Sequence, residues 1–236
     1  MMPDGVIIIN ESRLLRPSGS RNRRRYSQSP KRKFLGIAFF TQTEDNKGIE
    51  RRGEMTIMKF EIIEDYITQF PIYQYALLDT RELEFTDKVR TICKKECSRY
   101  GSSWSCPPAV GSIEKCRETC LKYPKVLLFS SIAEVVDYSD MECTLKSKQE
   151  HENITRKIEK FLRLNAVSCY TLSTDSCSAC EKCSYPKKSC VHPEIMHPCI
   201  ESHGIVLTNT IEQHHMDYFL GENMVIWFSL IFLEDV

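Results

Sequence analysis

The chain has 236 residues, enough for one large domain or two small ones, and its 42% hydrophobic content supplies a packed core, which argues against a wholly disordered protein. Its formal net charge of zero hides an asymmetry: residues 1–54 carry 12 Lys and Arg against 6 Asp and Glu, and residues 55–236 carry 20 against 26. The cysteine-bearing part is therefore mildly acidic, which argues against a nucleic-acid binder, and no apolar run approaches the ~18 residues a membrane helix needs.

Residues 1–54 mix Arg-rich and Ser-rich stretches with Pro and Gly and show no apolar periodicity, as a disordered basic extension would. Arg51-Arg52-Gly53-Glu54 before Met55 can be encoded by purine-rich codons resembling a bacterial ribosome-binding site. The expectation is that the native chain starts at Met55 or Met58 and that residues 1–54 are translated upstream sequence; the other reading is a genuine basic tail. The cysteine-rich domain is expected over 55–236.

From Met55 the pattern becomes regular. Lys59–Phe70 is expected as a helix, with Phe60, Ile63 and Ile67 on one face. Ile72–Leu78 reads as a strand, and Thr86-Asp87 caps a helix running toward Cys93. Ser112 caps a helix over Ile113–Tyr123, on which Cys116 and Cys120 share a face. Val126–Ile132 is a buried strand by composition. Lys146–Leu164 is the longest helical pattern, with Ile154, Ile158, Phe161 and Leu162 as its apolar stripe. Ala166–Leu172 is another strand, Pro193–His203 a short helix ending at Gly204, Ile205–Leu207 a short strand, Ile211–Leu220 a helix, and Met224–Leu233 a central strand. The fold class is α/β or α+β: a mixed sheet flanked by helices, with two cysteine-rich metal-binding loops at one edge.

All 12 cysteines follow residue 90. Arg21–Lys33 and the apolar Phe34–Phe40 only loosely imitate a secretory signal, and Thr41-Gln42-Thr43 is not a small-residue cleavage site, so reduced, cytoplasmic thiols are expected rather than a disulfide framework. Cys177-x2-Cys180-x2-Cys183, with Cys190 six residues further, matches the opening of a bacterial ferredoxin run. Clustered thiolates repel unless a cation binds them. Three cysteines at this spacing suit three corners of a 4Fe–4S cube, whereas a zinc site more often uses cysteine pairs. An iron–sulfur cluster is the leading reading and zinc the alternative. Cys93, Cys97, Cys106 and Cys116 supply four more thiols from a helix end, a loop and a second helix, and a second metal site is weighed there against buried apolar packing. Cys143 and Cys169 are isolated and are expected to pack. Trp104 and Tyr100 are expected to shield a loop.

Cys93-x3-Cys97, Tyr100-Gly101-x2-Trp104-x-Cys106-Pro107-Pro108, Cys177-x2-Cys180-x2-Cys183-x6-Cys190-x2-Pro193 and Glu201-x2-Gly204-Ile205 together resemble the predicted metal-binding family called domain of unknown function 2284. The likeness spans residues 60–236. It implies a small cytosolic prokaryotic protein of a kind common in anaerobes, with no established reaction, whose metal ligands are Cys93, Cys97, Cys106, Cys177, Cys180, Cys183 and Cys190. The chain departs from many relatives at Cys199, where they carry Ser, so the ligand set stays open.

Three functions follow from these readings. One is a redox or electron-transfer protein with one or two clusters and an unidentified redox partner protein. A second is a zinc-stabilised interaction module. A third is an enzyme with a cluster beside a substrate pocket, for which no Gly-rich phosphate loop, zincin motif or nucleophile elbow speaks.

Overall fold

The computed structural model describes residues 52–135, 141–221 and 223–234. The basic segment 1–51, and with it the expectation of an upstream extension, lies outside the described residues. Among the described residues, six strands and five α-helices follow in order: α1 (Arg52–Ile67), β1 (Gln74–Asp79), β2 (Glu84–Phe85), α2 (Asp87–Glu96), α3 (Ile113–Cys120), β3 (Lys125–Glu134), α4 (Met141–Leu164), β4 (Cys169–Leu172), β5 (Ile205–Val206), α5 (Thr208–Gln213) and β6 (Met224–Leu233).

The main sheet has the order β1-β3-β6-β4, and every neighbouring pair is antiparallel. Its spine is the β3–β6 ladder, in register from Lys125 against Leu233 to Glu134 against Met224. β2 and β5 form a separate two-stranded ribbon. The parallel contact is the isolated bridge between Ser173 and Cys199, just beyond the edge strand β4.

Both faces of the β3–β6 spine are buried, which is why these strands read as continuous apolar runs. Alternation divides them. Leu127, Phe129, Ile231 and Leu233 meet Ile63 and Ile67 of α1 and Ile154, Ile158 and Leu162 of α4. Val126, Leu128, Leu230 and Phe232 point the other way, onto Leu83, Cys120, Ile200, Ile205 and Ile211. Tyr66 of α1 stacks on Phe161 of α4 with ring centroids 3.8 Å apart. The loop bearing Cys177 to Cys190 follows the edge strand β4 and runs against α4.

Helix starts follow their caps. Thr86 Oγ1 accepts from the Lys88 N–H and Ser112 Oγ from the Lys115 N–H, which sets the first residues of α2 and α3. The helix expected over Lys59–Phe70 runs over Arg52–Ile67, and three further elements differ. The strand after α4 begins at Cys169, because Ala166 adopts a left-handed φ of 59° and the Val167 N–H closes on the Leu162 carbonyl as a helix stop. Pro193–His203 is not a helix; only Glu201–His203 forms a 3-10 turn. Its amides are engaged elsewhere: Cys199 N–H donates to the Ser105 carbonyl and Ile200 N–H to the Ser173 carbonyl. The helix expected over Ile211–Leu220 lies earlier, at Thr208–Gln213, since His215 takes a φ of 53° and turns the chain. Among the described residues no helix is long and apolar enough to cross a membrane.

Candidate metal centre

All twelve cysteines lie among the described residues, and none is in a disulfide. Cys177, Cys180, Cys183 and Cys190 come together. They line one small cavity of about 20 Å³, partly open to solvent, with Ser103, Trp104, Ala179, His192 and Met196 completing its wall. The Ala179 N–H donates to Cys177 Sγ at 3.4 Å, the kind of amide-to-sulfur bond that stabilises a thiolate. Trp104 closes one side, its indole N–H donating to the Lys188 carbonyl at 3.1 Å and its ring standing edge-on to Tyr185 at 4.9 Å. Trp104 thus shields this loop, as the sequence suggests.

Helix α4 anchors both ends of the loop with buried charge. The Lys148 ammonium is buried, pairs with Glu152 at 3.2 Å and Asp175 at 3.6 Å, and donates to the Ser176 carbonyl. Glu152 accepts from Ser178 Oγ at 2.7 Å and from Arg156 at 2.9 Å. Toward the other end, His197 meets Glu159 at 2.7 Å and Arg156 donates to the Ile195 carbonyl. Burial alone would raise the Glu159 carboxyl, but the hydrogen bonds and charges of His197 and Arg163 outweigh it and hold the group at about 2. These anchors went unread in the sequence, although the charges at 148, 152, 156, 159 and 163 carry the four- and three-residue spacing of one helix face.

A second gathering forms around the end of α2. Cys93 lies in its last turn, and Cys97 caps it with an N–H to the Cys93 carbonyl at 3.3 Å. Gly101, at φ 69°, turns the chain back, and its N–H donates to the Pro107 carbonyl at 2.8 Å, which returns Cys106 to the same place. Cys199 arrives from the other loop, its N–H held by the carbonyl of Ser105, the neighbour of Cys106. The interaction between the two thiols lowers Cys106 and raises Cys199. Burial pushes the Cys93 thiol up to about 12, with Glu201, Cys97 and Cys106 adding to the effect. Burial likewise raises the Glu201 carboxyl to about 7. One of its oxygens, Oε2, is buried without a hydrogen-bond partner, a loss worth ~1–3 kcal/mol unless a cation or donor meets it.

Cys116 is set apart from this gathering. Its thiol donates to the Val110 carbonyl at 3.4 Å, and Arg90 Nη2 reaches its sulfur at 3.5 Å. Cys120 is packed in the core on one face of the sheet and Cys169 in the core on the other. Cys143 is exposed on α4. Ser105 is the residue at these loops that sequence spacing missed; Cys199 and Glu201 are already in view in the sequence. Ser105 joins the two gatherings: its hydroxyl accepts from the Cys177 N–H at 2.8 Å, its carbonyl accepts from the Cys199 N–H at 3.2 Å, and its neighbour is Cys106.

Among the described residues, no three His, Cys, Asp or Glu side chains converge tightly enough to hold a single metal ion. Four sulfurs bound 2.3 Å from one zinc ion would stand only ~3.8 Å from each other. Cys177, Cys180, Cys183 and Cys190 instead stand around the wall of one small cavity, as the ligands of a group larger than a single ion would. The donor set, all soft thiols with an amide on sulfur and an indole excluding water, fits such a group.

No curated protein and no solved structure matches the chain. A model of the family described as Predicted metal-binding protein (DUF2284) matches residues 76–233, a span that runs from β1 to β6 and takes in every cysteine. The chain therefore belongs to that family of predicted metal-binding proteins.

Proposed function

We propose that this protein carries a 4Fe–4S cluster on Cys177, Cys180, Cys183 and Cys190 and works in electron transfer or redox chemistry in the cytoplasm, exchanging electrons with a partner protein. The observation that carries the reading is the convergence of these four thiols on one walled cavity. When bound, the cluster would accept and release single electrons. The chain's own residues do the rest. The Ala179 amide on Cys177 Sγ favours the thiolate, and Trp104 with Tyr185 keeps water from one side. The Lys148–Glu152–Asp175 group fixes the entry to the loop. The cavity mouth leaves a short route for an electron to leave at the surface.

Anaerobic purification with iron, sulfide and zinc analysis tests the reading. A brown protein with about four iron and four sulfide per cluster, bleached by dithionite, is expected. Cys180→Ser should strip that metal, and Cys143→Ser, on the exposed side of α4, should keep it. A colourless, zinc-loaded protein that unfolds with chelator would replace redox work by a zinc-stabilised interaction module. Equal metal in wild type and Cys180→Ser would overturn the ligand assignment.

A further inference from the structure

Residues 192–196 separate two cavities. His192 and Met196 wall the cysteine cavity, while Glu194 and Ile195 wall a larger one of about 340 Å³ that opens to solvent. The rest of the larger wall comes from the last turns of α4, which contribute Arg156, Glu159, Lys160, Arg163 and Leu164. We infer that this second cavity binds a small organic anion, a carboxylate or a phosphate ester, whose acidic head meets Lys160, Arg163 and Arg156 and whose apolar body lies on Leu164 and Ile195. No cysteine lines it, so the inference goes beyond the proposed cluster and does not depend on what the Cys177–Cys190 cavity holds.

The sign of the ligand follows from which polar groups are already engaged. Both oxygens of the buried Glu159 are taken, Oε1 by Arg163 at 2.8 Å and Oε2 by His197 at 2.7 Å. Glu194 Oε1 faces His192 Nδ1 at 3.7 Å. The last carbonyls of α4 are met as well: Phe161 accepts from the Asn165 N–H, Leu162 from the Val167 N–H and Arg163 from the Ala166 N–H. Donors are left over instead. Arg156 is locked in place by Nε on the Ile195 carbonyl, Nη1 on Asn153 and Nη2 on Glu152, and each terminal nitrogen keeps a second N–H. Arg163 uses Nη2 on Glu159, which leaves Nε and Nη1 for a ligand. Among the described residues, no hydrogen bond or ion pair engages the exposed Lys160 ammonium.

The wall thus carries three cations against two carboxylates, and the unmatched charge is Lys160. Salt limits charge effects to ~8–10 Å, so this local excess, rather than the acidic balance of residues 55–236, sets the sign a ligand feels. Leu164 is 76% exposed and Ile195 half-buried, an apolar surface beside the cations that a bare inorganic ion would leave wet. A few fixed polar groups beside an apolar wall select an organic anion, and the volume, near the lower end of the ~300–1,000 Å³ of ligand pockets, keeps it small.

The test is saturation-transfer NMR of ligand protons on the full chain purified without oxygen. Hexanoate and hexyl phosphate are the observed probes, hexylamine is the cationic control and inorganic phosphate the competitor. At least one of the two anions should bind, and the tighter one distinguishes a carboxylate from a phosphate head. Hexylamine should not bind, and inorganic phosphate should displace the bound anion. Lys160→Ala should weaken that anion about tenfold while keeping wild-type metal content. Lys160 is exposed and unpartnered, so its loss leaves the fold intact. Leu164→Ser should weaken the organic anion without changing the affinity for the phosphate competitor. Lys157→Ala, whose ammonium lies over the Phe70 ring and not in this cavity, should bind as wild type does. The inference fails if neither anion binds the folded wild type, if hexylamine binds as well as hexanoate, or if Lys160→Ala keeps wild-type affinity.

Discussion

Gly204 shows how much a single residue decides here. It ends the Glu201–His203 turn at φ 70°, and its carbonyl accepts from the Thr86 N–H at 2.7 Å, at the start of α2. A Cβ at this position would stand 2.9 Å from the Thr86 carbonyl oxygen and press on Ile113. Gly204→Ala therefore costs more than the ~1–2 kcal/mol of a left-handed L-residue. It should separate the turn bearing Glu201 from the helix bearing Cys93. Gly101→Ala, at φ 69° with nothing near its Cβ, pays the conformational cost alone. Thermal melts should show the larger drop for Gly204→Ala; an equal drop would remove the packing argument. The glycine is legible in the sequence as a helix stop. Its close approach to Thr86, 118 positions earlier in the numbering, is not, since nothing local in the sequence links the two.

Helix α4 is the element on which the molecule turns. Its apolar stripe of Ile154, Ile158 and Leu162 faces the sheet, and this half was readable from 3.6-residue periodicity. Its other working face carries Lys148, Glu152 and Glu159 inward, against the cysteine loop, where charge spacing alone looks like an ordinary solvated surface. Removing one partner of such a buried group costs ~3–5 kcal/mol. Lys148→Met should fall toward the lower end, because Arg156 still pairs with Glu152. The expected result is a lower melting temperature together with earlier protease cutting between Asp175 and Met196. Wild-type cutting rates would show that the loop holds itself without α4.

At the scale of the molecule, α4 is also tied to the sheet by a buried histidine. His151 Nδ1 lies 2.7 Å from Ser131 Oγ of β3, and Nε2 lies 2.9 Å from Ser229 Oγ of β6. Burial, helped by the Lys148 charge, lowers its pKa to about 3, from an unfolded value of about 6.5. The folded state therefore binds fewer protons than the unfolded chain between these limits. Stability from His151 is fully present above pH ~6.5 and is lost as pH falls toward 3, at up to ~1.4 kcal/mol per pH unit. Urea unfolding of wild type and His151→Gln across that window should show the shallower pH slope in the variant. Parallel slopes would mean that the histidine charges without cost in the fold.

The sequence by itself determined the composition of the core, the long strands and helices, their caps, and the identity of the metal-binding family, because periodicity, capping side chains and cysteine spacing are local properties of the chain. Cys177, Cys180, Cys183 and Cys190 belong to this class: short spacings on one loop leave the thiols few other places to go. Tertiary structure alone decided that the sheet is antiparallel, that the Cys199 amide meets the Ser105 carbonyl beside Cys106, that Cys116 is engaged by Val110 and Arg90, and that Ser105 joins the two loops. Those choices depend on which backbone amides and carbonyls meet across the sheet edge after folding, and residues 105, 173 and 199 are far apart until β4 and its neighbours bring them together.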